Sequence, residues 1–270
     1  MLALALPMTP ELARRLAGRP LLLVLDVDGT LSPIAPRPEH AVVPPATQQL
    51  LAELAQTEDV HVAVITGRAV DDARRVVGVD GLWFIGNHGV EVAAPGRPPV
   101  VRPDVAWYED RVAEATARSR EIAREMPGVI VEDKRWTLSV HYRLAHPSLV
   151  PPLTNAITLV ARDLGLKVTR GKEVLELRPP VNVDKGTAAV ELAQTLGVLH
   201  AGASLLSAGD DRTDEDMFRA LRERQPSCVT IRVGDATSET AAEFTVEDTA
   251  VMREVLEAVL AQRRAAAGAS

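Results

Sequence analysis

Three apolar runs in this chain each end on chemistry. LLLVLD closes on Asp26, VHVAVITGR passes through Thr66, and SLLSAGDD closes on Asp210 and Asp211. The runs are continuous rather than alternating, as strands are when helices cover both faces of their sheet. Between them lie helical patterns: PPATQQLLAELAQ with proline in its first turn, AVDDARRVVG ending at Gly78, and DEDMFRALRER. LWFIGNHG, CVTIRVG and EFTVED read as further strands, and SETAAE as a short helical segment whose SxTxxE pattern suggests a cap. Strands alternating with helices predict βα units and a parallel sheet. Ligands bind such sheets beyond the carboxyl ends of the strands, so the three termini meet at one edge if their strands are neighbours.

Residues 104–181 follow another grammar. VAWYEDRVAEATARSREIAREM reads as one long helix from near Asp104, and SLVPPLTNAITLVARDLG as a second. WTLSVHYR alternates, with Trp136, Leu138, Val140 and Tyr142 on one face and Thr137, Ser139, His141 and Arg143 on the other. That pattern predicts a half-exposed antiparallel strand. KVTRGKEVLELRP suggests a hairpin turning at Arg170-Gly171. The expected organisation is an α/β core of residues 1–103 and 182–270, interrupted by an inserted α/β module of residues 104–181. The proline-bearing segments RPPVVRP and RPP mark its edges.

The net charge of −7 gives nonspecific nucleic-acid binding no electrostatic support. No apolar run reaches membrane-spanning length, and MLALALPM lacks a basic leader and stops at Pro7. A lone cysteine, Cys228, excludes an intramolecular disulfide. The expectation is a cytoplasmic monomer with no membrane or nucleic-acid partner. Only Lys134, Lys167, Lys172 and Lys185 are lysines among 30 basic residues, which makes each ammonium conspicuous.

Asp26, Asp28, Asp210, Asp211 and Asp214 would crowd like charges at the strand ends, raising their pKa values unless something neutralises them. Oxygen-only ligands suit a hard divalent cation, and Mg²⁺ characteristically combines carboxylates, waters and a substrate phosphate. With a hydroxyl at Thr66 and an ammonium at Lys185, the set matches the needs of phosphoryl transfer. Plain alternatives stand beside this reading. Thr66 is also a suitable helix cap, Lys185 a suitable solvated charge, and GDDRTDED a suitable helix N-terminus.

DVDGT, ITGR, DKG and GDDRTDED resemble, in order and spacing, the four motifs of the haloacid dehalogenase superfamily of phosphatases. LDVDGTLSPI, GNHGVE, VEDKRWTLSVHYR, VLELRP, VDKG and GDDRTDEDMF together resemble the trehalose-6-phosphate phosphatases. The resemblance implies a Rossmann-like core with a parallel sheet and an inserted C2-type cap. It implies Mg²⁺-dependent hydrolysis of a phosphorylated disaccharide, trehalose 6-phosphate, through an aspartyl phosphate. Carried over by position, it makes Asp26 the nucleophile and Asp28 the proton donor and acceptor. Thr66 and Lys185 would hold phosphoryl oxygens, while Asp26, the Asp28 carbonyl, Asp210 and Asp211 would surround the metal. Gly67, Arg68, Asn87 and His88 would line the site, and Glu132, Lys134, Arg143 and Glu176 of the cap would read the sugar. Sucrose phosphate, mannosylglycerate phosphate and glucosylglycerate phosphate are the alternative substrates, and a noncatalytic phosphosugar-binding regulator is the alternative function.

Overall fold

The computed structural model describes residues 9–171, 173–235 and 239–268. In chain order the strands are β1 (Leu21–Leu25), β2 (Val60–Ile65), β3 (Trp83–Gly86), β4 (Glu91–Ala93), β5 (Val100–Val101), β6 (Ile130–Asp133), β7 (Leu138–His141), β8 (Lys167–Gly171), β9 (Val174–Arg178), β10 (Ser204–Gly209), β11 (Val229–Val233) and β12 (Phe244–Val246). The α-helices are α1 (Pro10–Arg15), α2 (Pro45–Ala55), α3 (Val70–Val77), α4 (Pro103–Ala106), α5 (Glu109–Arg124), α6 (Val150–Asp163), α7 (Lys185–Thr195), α8 (Arg212–Arg224) and α9 (Thr249–Gly268). The chain divides into two compact units, Met1–Val100 with Val183–Ser270, and Val101–Asn182.

The first unit is built on a sheet of order β12-β11-β10-β1-β2-β3-β4-β5. It is parallel from β12 to β3, and β4 then runs back antiparallel to β3. The strand β1 shows why the apolar runs are unbroken. Leu21, Leu23 and Leu25 pack into a core with Leu51 and Leu54 of α2, Val76 and Val77 of α3, and Leu256 of α9. Leu22 and Val24, pointing the other way, pack with Ala189 and Leu192 of α7 and Phe218 and Leu221 of α8. A strand buried on both faces gains from apolar residues at every position.

The order also supplies the adjacency that the sequence left conditional. β1 lies directly between β10 and β2, with Leu25 in register with Ala208 on one side and Val64 on the other. The sheet grows from β1 to β2 and β3 in one direction and from β10 to β11 in the other. The carboxyl end of β1 is therefore a topological switch point, where such sheets bind ligands.

The second unit has a four-stranded antiparallel sheet, order β6-β7-β9-β8. Leu138, Val140, Leu175 and Leu177 cover one face and pack on Val112 of α5 and Leu153, Ile157 and Val160 of α6. The other face is polar, yet Thr137 and Ser139 are buried, where alternation alone suggested exposure.

Three local readings change. The helix expected from Asp104 is split into α4 and α5, with Trp107 and Tyr108 between them. The β8–β9 hairpin turns after Gly171, which still pairs with Val174, and Glu173 takes a left-handed conformation there; Lys172 lies outside the described residues. The SETAAE segment is not helical from Glu239 onward, and Ser238 lies outside the described residues. Buried Glu215 holds it instead, accepting from Thr240 Oγ1 at 2.7 Å and Ala241 N at 2.6 Å. A side-chain anchor 25 residues upstream leaves no signal in a local capping pattern.

Candidate active site

At the end of β1, Asp26 is buried and its backbone amide still pairs with Ala208 of β10. The chain then turns sharply through Gly29, at φ +86°, where an added Cβ would collide with the Asp210 carboxylate. Only glycine satisfies both the left-handed backbone and that close approach. The Asp26-containing turn and the end of β10 are thereby drawn together.

Lys185 opens α7, a helix started by a capping box between Asp184 and Thr187. A cation at a helix N-terminus opposes the helix dipole. It is held there because Nζ donates to Asp26 Oδ1 at 2.7 Å and to Asp214 Oδ1 at 2.9 Å. Lys185 is 2% exposed, which removes the solvated-charge alternative. Burial alone would lower the ammonium pKa, but the Asp214 and Asp26 charges outweigh it and hold it well above the ordinary lysine range.

Carboxylate oxygens of Asp26, Asp210 and Asp214 lie within 4.8 Å of one another. Burial pushes the Asp26 carboxyl up to about 7, against the pull of Lys185. Asp210 is likewise pushed up to about 7 by burial and by the charges of Asp211 and Asp214. Asp214, fully buried, is raised well above the usual carboxylate range for the same first reason. The local negative charge thus exceeds what one ammonium balances, and the donors are all oxygen. That set fits a divalent cation of the hard type.

Asp211 has a different task. It is the N-cap of α8, its Oδ1 accepting from Thr213 N at 2.7 Å and Asp214 N at 3.2 Å. Burial would raise its carboxyl, but the Lys185 charge and side-chain hydrogen bonding with Thr213 and Asp214 outweigh it and pull it down to about 2. Asp214 returns the favour, accepting from the amides of Asp210 and Asp211 at 3.0 and 3.1 Å. The acidic segment is both a helix start and part of the buried cluster. Asp214, whose side chain joins Lys185 to the β10 turn, carries more of the geometry than its place in the motif suggested.

Thr66 follows β2 and is buried, but it does not cap α3, whose N-cap is Ala69. Its Oγ1 accepts from Arg68 N at 3.2 Å, and its carbonyl from His88 N at 2.9 Å. Gly67 lies against the His88 ring, 2.5 Å from where a Cβ would stand. Asn87 and His88 are buried at left-handed φ of 49° and 56°, on the turn after β3. Asn87 Nδ2 donates to buried Glu91 at 3.3 Å. Arg68 is also buried, and its guanidinium meets Asp28 and Asp72 rather than open solvent.

In the second unit, strand pairing sets Glu132, Ser139 and Glu176 in one row across β6, β7 and β9. Lys134, on the turn between β6 and β7, places Nζ 3.5 Å from Glu176 Oε1 and 4.0 Å from Glu132 Oε2. His141 Nε2 lies 2.8 Å from Glu132 Oε2, a partner that the alternating pattern placed on the right face without identifying. Arg178 donates to Glu176. Arg143 donates to Glu173 at 2.8 Å and stands outside this row. A face carrying both acceptors and donors suits a ligand rich in hydroxyls.

A trehalose-phosphatase family model matches residues 24–250. The probable trehalose-phosphate phosphatase 4 of Oryza sativa subsp. japonica is 31% identical over 98% of this chain and 73% of its own length. An uncharacterized glycosyl hydrolase of Mycobacterium tuberculosis is 40% identical over 81% of this chain, which spans only 16% of that protein. Among solved structures, a trehalose-6-phosphate phosphatase related protein superposes with a TM-score of 0.78 at 28% identity, covering 89% of this chain and 97% of that one. The family match takes in every strand end and motif of the buried acidic site as well as the polar sheet face, and the chain belongs to the trehalose-phosphatase family.

Proposed function

We propose that the protein hydrolyses trehalose 6-phosphate to trehalose and phosphate, with Mg²⁺ as its cofactor. The observation that carries this reading is the buried Lys185–Asp26 contact at the end of β1, in a chain of this family. An Asp26 oxygen attacks phosphorus while the bond from phosphorus to the sugar oxygen breaks, and Asp28 gives that oxygen its proton. Water then attacks the phosphorus of the aspartyl phosphate, Asp28 takes the water's proton, and the Asp26 carboxylate is released. Thr66 and Lys185 hold phosphoryl oxygens in both steps, which is positioning and charge stabilisation rather than covalent chemistry. Asp26, Asp210 and the Asp28 carbonyl would hold the metal, with Asp211 and Asp214 beside them. When bound, the metal neutralises charge between the carboxylates and the phosphate. Glu132, Lys134 and Glu176 recognise sugar hydroxyls.

Among the described residues no helix is long and apolar enough to cross a membrane. A cytoplasmic setting is part of the proposal, and the buried free thiol of Cys228 supports it. Phosphate release from trehalose 6-phosphate, sucrose 6-phosphate, glucosyl- and mannosylglycerate phosphates and glucose 6-phosphate tests the substrate. The expected result is a kcat/KM for trehalose 6-phosphate at least about tenfold above every other compound. Preference for another compound replaces the substrate, and no turnover of any with metal present replaces the enzyme with a binding protein.

A further inference from the structure

Arg68 presents a fork to one acid and a third nitrogen to another. Nε and Nη2 each donate to a different oxygen of Asp28, both at 2.7 Å. Nη1 donates to Asp72 Oδ2 at 2.5 Å. Asp72 stands in the first turn of α3, four residues on, and its other oxygen accepts from Arg75 Nη2 at 2.6 Å. The backbone around Arg68 is also fixed. Its amide donates to Thr66 Oγ1, its carbonyl accepts from Asn87 N at 2.7 Å, and the Val70 amide donates to buried Glu91 at 2.9 Å.

The Arg68 side chain is 7% exposed while the Asp28 side chain is 38% exposed. A half-exposed carboxylate on a turn has rotameric freedom unless something buried holds it. Burial works against the Arg68 charge, but the hydrogen bonds and charges of Asp28 and Asp72 outweigh it. Its Nε, Nη1 and Nη2 are already committed to these two carboxylates, so it is a poor attractor for a further anion such as phosphate. We propose that Arg68 and Asp72 are positioning residues for Asp28: the planar fork sets the plane of the Asp28 carboxylate, and Asp72 sets the fork. The proposal rests on the reading of Asp28 as proton donor and acceptor. Lysine cannot replace the fork, because an ammonium is a point charge without fixed bidentate geometry.

The test is a mutant cycle on the full chain with Mg²⁺. Arg68→Lys keeps the charge and removes the fork; Asp72→Asn keeps the size and removes the charge. Each is made alone and with Asp28→Asn, and assayed on trehalose 6-phosphate and p-nitrophenyl phosphate, with thermal melts as the fold control. On trehalose 6-phosphate kcat should fall about tenfold or more for Arg68→Lys and several-fold for Asp72→Asn, with KM within about twofold. The losses on p-nitrophenyl phosphate should be smaller, because its leaving group needs little protonation. In the Asp28→Asn background each substitution should cost less than about twofold. Losses that multiply in that background overturn the proposal, as does a raised KM with unchanged kcat, which would make Arg68 a substrate contact. If Asp28→Asn is crippled but both positioning variants turn over normally, the positioning idea alone falls. Full turnover by the Asp28→Asn protein removes the reading of Asp28, and this proposal with it.

Discussion

Lys185 Nζ bridges Asp26 Oδ1 and Asp214 Oδ1, joining residues 159 and 29 positions away in the chain. All three side chains are buried. Removing the ammonium leaves two buried carboxylates without the cation that bridges them. Lys185→Met should therefore destabilise the metal-free protein by roughly 3–5 kcal/mol in denaturant unfolding, as expected when one partner of a buried ion pair is lost. Phosphatase activity should fall with it. Unchanged stability would mean that the cluster rearranges or neutralises itself without the lysine.

Asp26 is the proposed attacking group, so Asp26→Asn should abolish turnover while far-ultraviolet circular dichroism and the folded melting transition are retained. Beryllium fluoride with Mg²⁺, an aspartyl-phosphate mimic, should raise the melting temperature of the parent protein and leave that of the variant unmoved. Full activity in the variant, with deamidation excluded by mass spectrometry, would end the covalent scheme.

The acidic cluster makes stability depend on pH and metal together. Asp26 and Asp210 have folded-state pKa values raised from 3.8 to about 7. A raised carboxyl favours the folded state while protonated, so its contribution is full below pH 3.8 and is lost as pH rises through about 7. The EDTA-treated protein should accordingly lose melting temperature from pH 4 to pH 7. A divalent cation offsets the charge, and its stabilising effect should grow across the same window, reaching about 2.7 kcal/mol at a hundredfold excess over Kd. A cation effect that is flat with pH would show that these carboxylates do not face the ion.

The polar face of the second unit should govern disaccharide use. Glu132→Ala, Lys134→Ala and Glu176→Ala should each lower kcat/KM on trehalose 6-phosphate by about tenfold or more, by removing transition-state binding from the remote sugar. Turnover of p-nitrophenyl phosphate, which has no sugar, should change far less. Equal losses on both substrates would indicate a structural defect, and no loss on either would remove these residues from recognition.

Much of the protein was legible in one dimension because its chemistry sits at the ends of apolar strands. LLLVLD, VHVAVIT and SLLSAGDD each declare a doubly covered strand, and a doubly covered parallel sheet has only one edge at which Asp26, Thr66 and Asp210 can meet. The polar alternation of WTLSVHYR likewise marked the face that carries Ser139 and His141. Burial and pairing were not legible, since they depend on residues far away in the chain. Lys185 read as a plausible surface charge until α7 placed it against Asp26 and Asp214. Thr66 read as a plausible cap until α3 began at Val70 behind Ala69. Arg68 reaches Asp28 across 40 residues, and Glu215 holds the segment before β12 across 25. Local pattern determines which residue types stand at a strand end or on a sheet face. Which of them share a proton, an ion pair or a metal is decided by distances of a few ångströms between segments, and only the packed tertiary structure sets those.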